Sequence, residues 1–104
     1  MKNFLTAIIF VATHTTAAIT INENADPDVR RDLDLAFHTA FPDLSEFRHA
    51  EGNSDAHMKS SVTGASETMI VTGGRLLLGT WQGVYFCEFD GPRERSFYVK
   101  VVGD

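Results

Sequence analysis

The chain has 104 residues, 43% of them hydrophobic and 22% charged, with a formal net charge of -5 at pH 7. That balance describes one ordinary globular domain over residues 1–104 and excludes a disordered or fibrous chain. It also excludes a nucleic-acid partner of the backbone-binding kind, which needs clustered Lys and Arg, but not a small anion held by a few local donors.

Residues 4–12 are an apolar run rich in Phe, Ile and Val. The run imitates the apolar centre of a secretory signal peptide, and it reads equally as a buried strand entering the polar turn Thr13-His14-Thr15-Thr16. It is far too short to cross a membrane as a helix. A second strand is predicted over 18–22, with Ile19 and Ile21 on one face. The clearest element follows. Asp26 suits an N-cap, Pro27 the first helical position, and Asp28 adds favourable charge to the first turn. Val29, Leu33 and Phe37 recur at helical spacing, while Arg30, Arg31, Asp34 and His38 face away. Pro42 predicts the helix end at Phe41.

Residues 42–55 read as a loop, and a short helix is predicted over 56–62, capped by Ser54 or Asp55 and ended by Gly64. Strands are then expected at 67–71, 75–79, 84–89 and 96–102, with turns at Thr72-Gly73-Gly74 and Asp90-Gly91-Pro92-Arg93. In the last strand Phe97, Val99 and Val101 alternate with Ser96, Tyr98 and Lys100. The fold class is α+β: a largely antiparallel sheet system flanked by two helices. Cys87 is the single cysteine, so no internal disulfide can form. Its apolar surroundings predict a buried, inert thiol, in keeping with a reducing cytoplasmic setting.

His14, His49 and His57 lie where packing does not ask for them, and neutral imidazole serves both as metal ligand and as acid or base near neutral pH. Taken singly, each reads more often as a surface or hydrogen-bonded histidine, and their spacing matches no compact zinc signature. Capping and dipole stabilisation account for much of Asp26 and Asp28 but not for Glu23, which is the better candidate ligand or general base. The segment Gly79-Thr80-Trp81-Gln82-Gly83 fits a ligand wall and equally a tight bend between strands. These residues are expected to form one polar cluster around His14, Glu23, Asp26, His49 and His57.

Four ordered blocks then carry a resemblance. The stretch from His14-Thr15-Thr16-Ala17 through Asp26-Pro27-Asp28 to Leu33 is followed by Gly52-Asn53-Ser54-Asp55-Ala56-His57-Met58-Lys59-Ser60-Ser61. After these come Gly74-Arg75-Leu76-Leu77-Leu78-Gly79-Thr80-Trp81-Gln82-Gly83 and Glu88-Phe89-Asp90-Gly91-Pro92-Arg93. In this order they resemble the YjbQ-type family. The resemblance implies a compact fold with a mixed β-sandwich, assembly as a homotrimer, and a secondary thiamine-phosphate-synthase-like activity. It also implies a cytoplasmic chain, since signal cleavage would remove part of the first block. The resemblance also implies a further strand and helix before that block; the chain is expected either to be naturally shortened or to start at an internal methionine, and a missing edge strand would expose residues 4–12.

The resulting expectation is a metal-assisted transferase acting on a small phosphorylated substrate. His14, His49 and His57 would bind a divalent ion, Zn or Mg, or share proton transfer, and Glu23 and Asp26 would orient those histidines or complete the ion's coordination. Arg75 or Arg93 would hold a phosphate, and Trp81, with Gln82 beside it, would stack on a heteroaromatic ring. The rivals are a non-catalytic module that captures a small anionic metabolite in the same cleft, and a metal-dependent phosphate-ester hydrolase.

Overall fold

The computed structural model describes residues 6–103. Its elements run β1 (Ala7–Ala12), β2 (Ala17–Glu23), α1 (Pro27–Ala40), α2 (Ser54–Thr63), β3 (Ser66–Thr72), β4 (Arg75–Leu76), β5 (Gln82–Glu88) and β6 (Phe97–Val102). Strands β4-β3-β1-β6 form one sheet in that order and β2-β5 a two-stranded ribbon, with every pairing antiparallel. This is the expected α+β architecture.

Asp26 caps α1 as its sequence suggests, accepting from the Asp28 N–H at 2.9 Å, with Pro27 at the first helical position. The helix ends at Ala40, one residue before the predicted end, and Phe41 is its C-cap. The N-cap of α2 is Asn53, a residue earlier than either candidate, and no side-chain bond completes that cap. Gly64 ends α2 with φ 99°. The Gly73-Gly74 turn uses two left-handed glycines, with φ 57° and 74°. Beyond it β4 holds just Arg75 and Leu76 of the strand predicted over 75–79, because residues 77–82 fold into a turn of their own. There Gly79 N–H donates to the Gln82 side chain at 2.7 Å and Gln82 N–H to Gly79 carbonyl at 3.1 Å.

Residues 4 and 5 of the predicted first strand lie outside the described residues. The described part corrects the expected edge position. β1 pairs with β3 on one side and β6 on the other, so it is interior to its sheet. The open edge is β6, all six residues of which are exposed. The alternation of Phe97, Val99 and Val101 therefore does not translate into a buried face here: Phe97 is 50% exposed and Val101 64%.

The two sheets meet through Phe10, Phe97 and Phe86, with ring centroids 6.0–6.2 Å apart along the chain of contacts. A void of about 260 Å³ remains between them. The buried apolar residues are small or few: Ala12, Ala17, Ala18, Ile19, Ala56 and Met69. Helix α2 packs on β2, where the Ser60 hydroxyl donates to the Ala17 carbonyl at 2.8 Å in a buried setting. Helix α1 stands off the ribbon, no residue of it being buried, and meets it chiefly through Phe37 against Phe89 at 5.7 Å.

Candidate functional site

The β2–β5 register sets the geometry of everything that follows. Ala17 lies opposite Glu88 at one end of the ribbon and Glu23 opposite Gln82 at the other. At roughly 3.3 Å per residue these ends are about 20 Å apart. Helix α1 runs back along the ribbon, carrying the chain about 17 Å from Asp26 to Phe37 beside Phe89. The expected five-residue cluster is therefore not assembled within one chain. The histidines collect at the Ala17 end, and Glu23 and Asp26 stand at the other.

At the histidine end, His14 Nε2 faces the backbone of Ser96, 3.0 Å from its carbonyl oxygen and 2.9 Å from its amide nitrogen. A proton on Nε2 donates to the carbonyl, and the other tautomer accepts from the N–H. Next to this turn Phe89 N–H donates to the Thr16 carbonyl at 3.1 Å. Arg95 reaches across, donating to Thr16 Oγ1 at 2.7 Å and to both carboxylate oxygens of Glu88 at 2.7 and 2.6 Å. This fork holds the Glu88 carboxyl down to a pKa of about 2, and Glu88 in turn raises that of Arg95.

Asp90 links that region to α2. Its carboxylate accepts from Asn53 Nδ2 at 2.7 Å and from Arg93 at 2.8 Å, and these two bonds, Asn53 first, hold it below the usual carboxylate range. Asn53 is 8% exposed, and its Oδ1 is buried with no partner among the described residues. Its backbone carbonyl accepts from the Ala56 and His57 N–H groups, so the start of the helix carrying His57 is bolted to the Glu88–Arg93 turn. His49, exposed in the loop, comes back against half-buried His57 with ring centroids 5.4 Å apart, edge to face.

His49 and His57 are thus a pair, and His14 is engaged with Ser96. Among the described residues no three His, Cys, Asp or Glu side chains gather into a group able to hold a metal ion. Two imidazoles are near each other, but the expected three-histidine ligand set is not formed by one chain.

At the far end Asn24 N–H donates to the Trp81 carbonyl at 2.7 Å, and Gly83 sits so close to Asn24 that a Cβ there would meet its side chain at 2.6 Å. The glycines of the 79–83 segment serve a tight bend, and Trp81 is 62% exposed. Tyr85 hydroxyl lies 2.6 Å from the Glu23 carbonyl oxygen and 2.9 Å from Asn24 Oδ1. The Glu23 carboxylate has no partner among the described residues, and none of Glu23, Asp26 and Asp28 forms an ion pair with one. Arg75 stands exposed on β4, likewise without an ion pair to a described residue. Of the expected phosphate-holding and ring-binding residues, Arg93 is committed to Asp90 and, at 3.6 Å, to Glu51, and Gln82 to its own turn.

A cleft of about 410 Å³ lies between α1 and the ribbon and is lined by Thr20, Arg30, Asp34, Tyr85, Cys87 and Phe89 among others. None of the sequence-predicted site residues lines it. Cys87 is half-buried there, less than its sequence context suggests, and burial pushes its thiol up, which favours the protonated form. Sequence reasoning missed Asn53, Asp90 and Arg95. The first two stand inside recognisable motif blocks and were readable as cap and turn residues, whereas Arg95 has no local signal at all.

No helix among the described residues is long and apolar enough to cross a membrane. The family described as "UPF0047 protein YjbQ-like" matches residues 5–104. The chain is 59% identical over 98 residues to UPF0047 protein YugU of Bacillus subtilis, covering 93% of this chain and 74% of that protein. It is 58% identical to UPF0047 protein MJ1081 of Methanocaldococcus jannaschii, covering 94% of this chain and 70% of that one. Among solved structures, an uncharacterised YjbQ/UPF0047 protein from Clostridium acetobutylicum superposes with a TM-score of 0.91 at 50% identity, over 95% of this chain and 77% of its own. The conserved hypothetical protein TT1486 of Thermus thermophilus gives a TM-score of 0.91 at 39% identity, over 97% of this chain and 81% of its own. With its motif blocks, its fold and these relatives in agreement, the chain belongs to the UPF0047, YjbQ-like family.

Proposed function

We propose that this protein is an acid–base enzyme acting on a small phosphorylated substrate, with thiamine-phosphate-synthase-like group transfer as the reaction to assay. The observation that carries the reading is the His49–His57 pair, two imidazoles in edge-to-face contact at the start of α2. Imidazole can serve as either base or acid in proton transfer, and the helix N-terminus beside the pair favours a negative group. In the assayed reaction the thiazole nitrogen attacks the pyrimidine methylene carbon as its bond to the pyrophosphate oxygen breaks. The leaving group departs with that electron pair, and an imidazole of the pair would donate a proton to it.

A divalent ion, zinc or magnesium, remains part of the proposal because group transfer that releases pyrophosphate is helped by neutralising the charge that departs. Bound beside the pair it would supply charge neutralisation for the leaving pyrophosphate. Among the described residues no three-ligand set is complete, and in this reading the imidazoles would carry the acid–base work. Elemental analysis of the parent against His57→Ala reads the metal separately from activity.

The test is product formation from the two thiamine precursors, followed by mass spectrometry, in the parent and in His57→Ala and His49→Ala. Loss of roughly 100-fold or more in either variant is expected for a general acid or base. Unchanged rates in both variants would remove the pair from the mechanism. Saturable thermal protection by a precursor without turnover would favour the alternative, a module that binds a small anionic metabolite.

A further inference from the structure

We infer that Asn53 and Asp90 are positioning residues of the imidazole pair: the bond between their side chains holds the corner of the chain on which His49 meets His57. The inference rests on the acid–base reading of that pair and adds what fixes its geometry.

Asn53 stands at the centre of the corner, midway in sequence between the two histidines. On one side the Gly52 N–H donates to the His49 carbonyl at 3.0 Å and closes a turn, with Gly52 at φ 72°. On the other the Asn53 carbonyl accepts from the Ala56 and His57 N–H groups at 3.0 and 3.3 Å and starts α2. Rotation about the Asn53 backbone therefore carries His49 and its turn as one body against the helix start that bears His57.

What sets that rotation is visible in the contrast between two caps of this chain. Asp26 is an ordinary N-cap, with extended backbone at φ -105° and ψ 113° and a carboxylate that accepts from the Asp28 N–H. Asn53 is as good a capping residue by type, yet it has φ -121° and ψ 28° and makes no side-chain cap bond. Its amide is engaged elsewhere, Nδ2 donating to Asp90 Oδ2 at 2.7 Å across 37 positions of sequence. The amide cannot be turned round, because that would set its oxygen against a carboxylate oxygen. Held this way, Oδ1 is buried without a partner among the described residues. An unsatisfied buried oxygen and an uncapped helix are both destabilising. Both would be relieved if Asn53 took the conformation of Asp26 and capped α2. The Asp90 bond opposes that relaxation, and with it the swing of His49 away from His57.

Asp90 is itself held in place. Arg93 donates to the same Oδ2 at 2.8 Å and lies 3.6 Å from Glu51, inside the His49–Gly52 turn. The 90–93 turn thus grips the corner at two points. Displacing a reacting group by about 1 Å can lower a rate on the order of 100-fold, so a corner free to relax loses turnover without losing the histidines.

Same-size substitutions in the full chain separate the bond from its surroundings. Asn53→Asp keeps a capping side chain, removes the donor and sets carboxylate against carboxylate. Asp90→Asn keeps an oxygen for the Asn53 amide and gives up the Arg93 ion pair. The double exchange, Asn53→Asp with Asp90→Asn, restores the bond with its direction reversed. The ring contact is read by NMR as cross-relaxation between the ring protons of His49 and His57 in histidine-labelled protein, and kcat and KM are measured in the thiamine-precursor assay. The expected cross peak is present in the parent, lost in Asn53→Asp, kept in Asp90→Asn and regained in the double exchange. With it, kcat falls roughly 10-fold or more in Asn53→Asp at little-changed KM, and recovers in the double exchange. A cross peak that survives in Asn53→Asp, or that the double exchange fails to restore, overturns the inference. So does its loss in Asp90→Asn, which would give the role to the Arg93 ion pair. A parental kcat in a variant whose ring contact is lost overturns it as well. Should Asn53→Asp not fold, Asn53→Ala takes its place and the other two chains are read as before. If the parent makes no product, the assayed reaction is wrong, and the cross-peak series alone decides what positions the pair.

Discussion

Arg95 is flanked by Glu94 and Ser96 in a stretch without regular structure, yet its guanidinium ties together Thr16 and Glu88, residues 79 and 7 positions away. Its side chain is 11% exposed and that of Glu88 32%, so the pair is shielded more than a typical surface ion pair. The sign of its pH dependence follows from the Glu88 pKa. The carboxyl is held at about 2, below its ordinary 4.5, so its stabilising contribution is present above pH 4.5 and is lost as pH falls from there to about 2. Arg95→Gln returns Glu88 toward its ordinary value and removes that contribution. The urea midpoint of the variant is expected to lie below the parent's at pH 7, with the gap narrowing steadily between pH 4.5 and pH 2. A gap that stays constant across that range would show that Arg95 acts through packing and its Thr16 bonds alone. Residue chemistry of this kind was not legible in the sequence. The histidines stood out because imidazoles in polar turns lack a packing reason, but a long-range arginine fork leaves no spacing pattern to read.

At the scale of elements, local rules performed where one element decides its own ends. Asp26, Pro27 and the Val29-Leu33-Phe37 spacing place α1 to within a residue, and the Gly73-Gly74 turn lies where two left-handed positions were needed. They fell short where partners decide. The 75–79 strand shrinks to Arg75–Leu76 because Gln82 folds back on Gly79, and β1 proved interior because strand order is a property of the sheet and not of any segment. The candidate site divides the same way. Each residue was legible alone, and the two-ended distribution was not, since it depends on the β2–β5 register. Asp26 illustrates the overlap of roles, being both a cap and a member of the acidic end. Since no residue of α1 is buried, its cap carries unusual weight in holding the helix. Asp26→Ala is expected to cost about 1 kcal/mol, and Asp26→Asn, which keeps an accepting oxygen, only a few tenths. Urea denaturation of the two variants checks this. Equal losses in both would mean that the charge, and not the hydrogen bond to Asp28, supports the helix.

For the whole molecule, the open β6 edge and the net charge pull solubility in opposite directions. All six residues of β6 are exposed, with Tyr98 at 63% and Val101 at 64%, and nothing among the described residues pairs with its outer side. An exposed apolar edge strand is a template for pairing with another chain, whereas a net charge of -5 keeps copies apart at pH 7. Val101→Lys separates the two effects, because it places a charge on the edge while reducing the magnitude of the net charge by one. If long-range repulsion governs solubility, the variant aggregates faster than the parent at pH 7. If the edge governs, it aggregates more slowly despite its smaller net charge, and that is the expected outcome, since repulsion between exposed charges is largely screened beyond roughly 8 Å at physiological salt whereas strand pairing is a contact interaction. Time-resolved light scattering at matched concentration reads the difference. Val101 lies on β6 opposite Ile8, toward the end of β1 remote from His14, so the substitution leaves the histidine pair untouched.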